Sequence, residues 1–258
     1  MLAILPVFLL LMACSSNGRH VLGDGMTLKP GWDRFKQSAI QAMQDPAVWI
    51  PLAGAVLLQV DDLDHELSDR LREDTPVFGS ADKAAEASDD FRSLTTWSYL
   101  GTALMTSTAT DHSWFVSKAK LLGAEWVTVQ AARGVTGQLK SLSQRERPNG
   151  LNDKSFPSGH ATSASVQAQM AKLNIAYLPL SKGSQTALNW TQDGFAVLTA
   201  WARVEAGMHY PADVLAGWAV GRFVGHLGTT FITANEMQAR VSPLLSQTWR
   251  GIEVEVRF

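Results

Sequence analysis

Apolar and polar positions alternate along most of this chain with the period of a helix. Apolar segments fall near 32–43, 47–60, 91–110, 114–139, 159–178, 186–206 and 211–235, each long enough for a packed helix. The clearest is 159–178, where Ala161, Ala164, Ala168, Ala171, Ile175 and Leu178 recur at alternating steps of three and four. That spacing gives one narrow seam for packing against another helix. The same segment carries Gln167, Gln169, Lys172 and Asn174, which are costly in lipid. The longest uncharged stretch beyond the N-terminus, Ser93–Thr110, is half Ser and Thr, and Asp193, Arg222 and His226 interrupt the later segments. The pattern predicts an all-α, water-soluble helical bundle, with an integral inner-membrane protein as the alternative. Residues 61–90, charged and Ala-rich, read as surface helix and loop. At the C-terminus, "GIEVEVRF" alternates Ile252, Val254, Val256 and Phe258 with charges, the period of a short amphipathic strand.

The N-terminus breaks the pattern. "MLAILPVFLLLMACSSNGRH" is an apolar run ending in Leu11-Met12-Ala13-Cys14 before a polar stretch. It is too short for a transmembrane helix and has the proportions of a secretory apolar region. The run resembles a bacterial lipoprotein signal, in which Cys14 becomes the lipidated N-terminus, although no Lys or Arg precedes it. The expected organisation is a signal peptide over 1–13, a tether over 14–31, a helical domain over 32–240 with its chemistry at about 137–226, and a tail over 241–258. The resemblance implies an exported protein held to the membrane by an N-terminal lipid anchor. Ser15 after the cysteine favours the outer membrane, facing the periplasm. Cys14 is the only cysteine, so no disulfide is available.

Composition adds limits. At 258 residues and 46% hydrophobic content the chain suits one sizeable domain. A formal charge of −2 lacks the basic footprint of a nucleic-acid partner.

Three stretches carry the candidate chemistry. In "KSFPSGHATSAS", Ser158 is placed to cap a helix, Gly159 lets the backbone approach a ligand, and His160 falls in the first turn. Such a helix start offers unpaired N–H groups to an anion. Upstream, "KSLSQRERP" spaces Lys140 six residues before Arg147-Pro148. Downstream, "ARVEAGMHYPAD" places Arg203, then His209 after five residues, then Asp213 after three more. Three cations, a helix N-terminus and two histidines suit phosphoryl transfer, where the protein's main task is to hold and neutralise the moving group. Arginine binds phosphate oxygens in bidentate fashion, and lysine acts as a point charge. One histidine can attack phosphorus while a carboxylate orients its far nitrogen, and the other can protonate the leaving alkoxide. Pro211 suits the first position of a helix, which puts Asp213 in the first turn and within reach of the His209 ring.

Together these blocks resemble the three-part signature of the type-2 phosphatidic acid phosphatase and vanadium haloperoxidase superfamily. The likeness runs from Lys140 to about Gly225 and includes "HYPADVLAGW". It implies an all-α bundle around one phosphate site and no metal or other cofactor. It further implies His209 as nucleophile, Asp213 orienting it, and His160 as general acid and then base. Lys140, Arg147, Arg203, Ser158 and the Gly159 amide would hold the phosphoryl oxygens. The family usually has Ser before the arginine of the third block, where this chain has Ala202. A short gap between Pro148 and Pro157 leaves little room for a lid. The implied activity is hydrolysis of phosphomonoesters or pyrophosphates, with a lipid favoured as substrate. Alternatives are a broad-specificity periplasmic acid phosphatase on soluble esters, a non-catalytic phosphate- or lipid-binding envelope lipoprotein, and a vanadate-dependent haloperoxidase.

Other features carry no expected function. "DDLDHE", Asp61 to Glu66, reads as an exposed acidic helix start. The nine Trp residues read as core, and His20, His65, His112 and His226 are given no role.

Overall fold

The computed structural model describes residue 22, residues 31–108 and 114–233, and the backbone of 238–245 and 250–257. Cys14, the signal over 1–13 and most of the tether lie outside the described residues. Eight α-helices are found among them: α1 Trp32–Gln44, α2 Pro46–Leu57, α3 Leu63–Asp74, α4 Ala81–Met105, α5 Trp114–Ser143, α6 Gly159–Ala176, α7 Lys182–Glu205 and α8 Pro211–Ile232. The all-α bundle expected from the sequence is what forms. Strands β1 Gln238–Leu245 and β2 Arg250–Arg257 pair antiparallel, Gln238 opposite Arg257, so the strand read at the C-terminus has a partner.

Side-chain caps set half of the eight starts. Asp45 accepts from Ala47 N–H ahead of α2, and Ser80, Ser158 and Ser181 cap α4, α6 and α7 with their hydroxyls. Helix α4 begins ten residues before the apolar segment at 91. Its first turns, "ADKAAEASDD", are rich in Ala, and its Ser80 cap overrides their polarity.

Helix α6 is the central rod, packed on α4, α5, α7 and α8. Residues Ala161 to Ala168 are all buried. Its contact with α8 is unusually close. A Cβ on Gly217 would lie 2.5 Å from the Ser158 carbonyl oxygen, and one on Gly221 would lie 2.6 Å from that of Thr162. Only glycine lets these backbones meet. Ser158 N–H donates to the Asp213 carbonyl at 2.9 Å, and the Ser165 hydroxyl to that of Trp218 at 2.9 Å. The starts of α6 and α8 are thereby fixed side by side.

Two expectations fail here. Seven tryptophans, at positions 32, 49, 97, 114, 126, 190 and 201, are exposed, so the Trp residues do not form the core. Small residues, chiefly Ala, are prominent in the interior instead, with Trp218 packed beside the cluster of Ala164, Ala168 and Ala196. Nor is "DDLDHE" simply an exposed acidic start, since Asp64 is 1% exposed. No single helix among the described residues is long and apolar enough to cross a membrane; only the bent pair Pro46–Leu57 and Val60–Asp74 has the composition jointly, broken by 86°.

Candidate active site

The three sequence blocks meet at one end of the bundle. Lys140 stands in the last turn of α5, Arg203 in the last turn of α7, His160 in the first turn of α6 and Asp213 in the first turn of α8. Arg147 comes from the loop between α5 and α6, and His209 from the turn between α7 and α8. That turn is closed by Met208 and His209 N–H groups, both donating to the Arg203 carbonyl at 3.1 and 3.2 Å. The α5–α6 loop is folded on itself, with Arg147 N–H donating to the Asn152 carbonyl and Ser155 N–H to that of Arg145, each at 2.9 Å.

His209 is buried at 1% exposure, with Nδ1 3.8 Å from Asp213 Oδ2 and no hydrogen-bond partner. Asp213 is fully buried and strongly held. It accepts from Arg145 Nη1 at 2.8 Å, the Ser155 hydroxyl at 2.5 Å and Tyr210 N–H at 2.9 Å. His160 Nε2 sits 3.0 Å from Asp89 Oδ1. Lys140 donates to the carbonyls of Lys154 and Ser155, and its Cε lies 3.9 Å from where Gly159 would carry a Cβ. The Ser158 hydroxyl caps α6 by accepting from Ala161 N–H. Ala202 is fully buried beside Arg203.

The electrostatics show one shared neighbourhood. Burial lowers the Lys140 ammonium to about 8, helped by Arg147 and Arg203. Burial lowers Arg203 to about 10, with Arg147 adding to it. Both imidazoles are pushed down to about 4, first by burial and in each case also by Arg203. Asp89 is held below the usual carboxylate range chiefly by His160; for Asp213 burial pushes upward, but the nearby His209 ring, Ser155 and Arg145 together hold it low. The Nε groups of Arg147 and Arg203 are buried with no partner. Buried donors without acceptors are costly, and an anion would satisfy them.

Residues 106–237, just over half of the chain, match the profile of the PAP2 superfamily. The chain belongs to the PAP2 superfamily. This PAP2 chain is also 36% identical over 75 residues to an undecaprenyl-diphosphatase from Sulfolobus acidocaldarius, a match spanning 29% of this chain and 32% of that protein. About a third of the curated relative's length is therefore represented. Among solved structures it is similar to a transmembrane PAP2 type phosphatidylglycerolphosphate phosphatase from Bacillus subtilis, at 21% identity and a TM-score of 0.43, over 80% of this chain and 96% of that one.

Four residues in and around this PAP2 site escaped the sequence reading: Asp64, Asp89, Arg145 and Ser155. Arg145 and Ser155 lie inside the stretches that carry the motifs, but nothing in their spacing marks them. Asp64 and Asp89 sit 81 and 71 residues from the groups they bond, a separation that periodicity and caps do not report.

Proposed function

We propose that this PAP2 protein is a phosphoric ester hydrolase acting on phosphorylated lipids through a phosphohistidine on His209. One observation carries the reading: one buried and one half-buried imidazole, unpaired arginine donors and a helix N-terminus gather where the three motif blocks meet. Lys140, Arg147, Arg203 and the α6 amides hold the phosphoryl oxygens. His209, neutral in the empty site, attacks phosphorus. The bond to the leaving oxygen breaks, and His160 gives that oxygen its proton. Asp213 stabilises the ring cation formed as the P–N bond is made. Water then attacks phosphorus, the P–N bond breaks, and His160 takes up the proton. Empty, His160 is too acidic to hold a proton at neutral pH; a phosphate dianion beside it raises its pKa and supplies the acid when it is needed. No metal enters this sequence.

Support for a lipid comes from the undecaprenyl-diphosphatase likeness and from a cavity of about 700 Å³ among α2, α3, α7 and α8. Leu58, Leu71, Val197, Val204, Val214 and Trp218 wall it, and Val204 and Val214 directly follow Arg203 and Asp213. Helix α2 has no charged residue and exposes Ile50, Val56 and Leu57, a surface suited to lie against a bilayer. With an N-terminal run that resembles a lipoprotein signal, this favours a protein anchored in the cell envelope near its substrate.

Release of phosphate from a lipid phosphate and from a soluble ester, each with EDTA present, tests the reading. Turnover of the lipid phosphate in EDTA, abolished by His209→Ala, is the expected result. Loss of turnover in EDTA alone counts against the mechanism.

A further inference from the structure

We infer that Asp64 and Arg145 are positioning residues that hold Asp213, and through it His209, so that α3 supports a site whose motif residues all lie in the PAP2-matched stretch. The inference rests on the phosphatase reading given above. Asp64 and the whole of α3 lie outside residues 106–237.

The Arg145 guanidinium bridges two buried carboxylates, with Nη1 2.8 Å from Asp213 Oδ1 and Nη2 2.7 Å from Asp64 Oδ2. Its plane lies over the Tyr210 ring, 4.1 Å from the centroid. Asp64 uses its other oxygen to accept from Ala212 N–H at 2.8 Å, one of the unpaired donors at the start of α8. Gln59 Nε2 adds a weaker contact at 3.3 Å. Asp64 therefore grips both the arginine that holds Asp213 and the backbone that carries it.

Direct binding of phosphate by Arg145 is the competing reading. Both of its terminal nitrogens are already committed to carboxylates, unlike the unpaired Nε of Arg147 and Arg203. Two carboxylates also outnumber the one guanidinium, so Asp213 keeps its negative charge for the His209 ring while losing its freedom to swing. Lysine cannot reproduce this, because a point charge does not span two carboxylates in a fixed fork.

The rest of α3 and the loop after it grip the same two motif segments at further points. Arg72 Nη1 donates to the Pro148 carbonyl at 2.5 Å, next to Arg147. Its Cδ lies 2.6 Å from where Gly207 would carry a Cβ, in the turn that presents His209. Val77 and Phe78 N–H donate to the two Glu205 carboxylate oxygens at 3.1 and 3.0 Å, two residues after Arg203. The first and third motif segments are both tied to residues 64–78.

The test compares Asp64→Asn, Arg145→Gln and Arg145→Lys in the full chain, reading kcat, KM, vanadate affinity and the pH profile of kcat/KM. Asp64→Asn and Arg145→Gln are expected to lower kcat about ten- to a hundred-fold, the cost of a misplaced reacting group. KM and vanadate Kd stay within about three-fold, since neither side chain touches the phosphoryl group. Arg145→Lys recovers part of the loss. The acid limb of the profile separates positioning from general damage. The His209 ring feels Asp213, Lys140 and Arg203, and Asp213 feels Arg145. Removing Arg145 leaves the Asp213 charge uncompensated and moves the limb to higher pH. Neutralising Asp64 turns Arg145 more fully onto Asp213 and moves it lower. Preserved vanadate binding shows that the variants are folded. Wild-type kcat in the variants, shifts of the same sign, or losses confined to KM or vanadate affinity would overturn the inference while wild-type turnover stands. A wild-type protein that releases no phosphate overturns the phosphatase reading itself, and this inference with it.

Discussion

Two of the places where the protein buries ionisable groups are treated in opposite ways. In the α4–α5–α6 interior, away from the motif segments, Glu125 is fully buried with both carboxyl oxygens unpaired, and burial raises it to about 8. Lys118 nearby donates to the carbonyls of Ala103, Leu104 and Thr106, and burial lowers its pKa. There the fold leaves no charge unanswered: the acid is protonated at neutral pH and the ammonium is saturated by carbonyls. At the motif end the cations stay charged at neutral pH, and two arginine Nε groups keep unspent donors. Burial alone therefore does not mark a site. An excess of one sign of charge, with donors left unmatched, does.

The sharpest way to break this contrast is to remove a reacting group at one place and a titrating group at the other. His209→Ala is expected to lower kcat at least about a thousand-fold, because no nucleophile remains. Steady-state phosphate release measures it. Arg203→Ala should cost about a hundred- to a thousand-fold in kcat/KM, the usual loss of a buried charge-stabilising donor. Arg203→Lys recovers only part of that, since the fork is lost. Gly217→Ala sharpens the structural side. Its new methyl meets the Ser158 carbonyl at 2.5 Å, and denaturant unfolding should show a loss of about 1–3 kcal/mol.

A smaller effect lies in the pH dependence of stability. The imidazoles of 160 and 209 have folded values of about 4 against an ordinary 6.5. The unfolded chain therefore binds more protons between those values, and stability falls as pH drops from about 6.5 to about 4. Vanadate favours the protonated rings and should offset part of that fall in thermal melting. Glu125→Gln is the smallest. Activity should change less than about two-fold, because the group lies outside the motif segments. Its folded value of about 8 lies above the ordinary 4.5, so wild-type stability from this group declines as pH rises through that window. The Gln variant should flatten that decline.

Much of the site was legible in the sequence because its parts are local. A serine before a helix, a proline at a helix start and fixed intervals between Lys140 and Arg147, or Arg203, His209 and Asp213, are read within a few turns. The bundle was legible for the same reason, through the seam of Ala161 to Leu178. What escaped depends on contacts across the fold. Asp64 looked solvated because its neighbours Asp61 and Asp62 are exposed; its burial comes from Arg145 and the start of α8. The tryptophans looked like core because of their size, whereas alanines make up much of the interior and seven indoles face outward. The early start of α4 was hidden by charges that lie on its outer side, at Asp82, Lys83 and Asp90.

The glycine seam between α6 and α8 has one more consequence. With no side chain between the two helix backbones, the spacing from the start of α6 to Asp213 is a fixed gauge, insensitive to rotamer hopping. Diversity in what such an enzyme accepts must then arise at its periphery, in the walls supplied by α2, α3 and α7, while the gauge itself stays untouched.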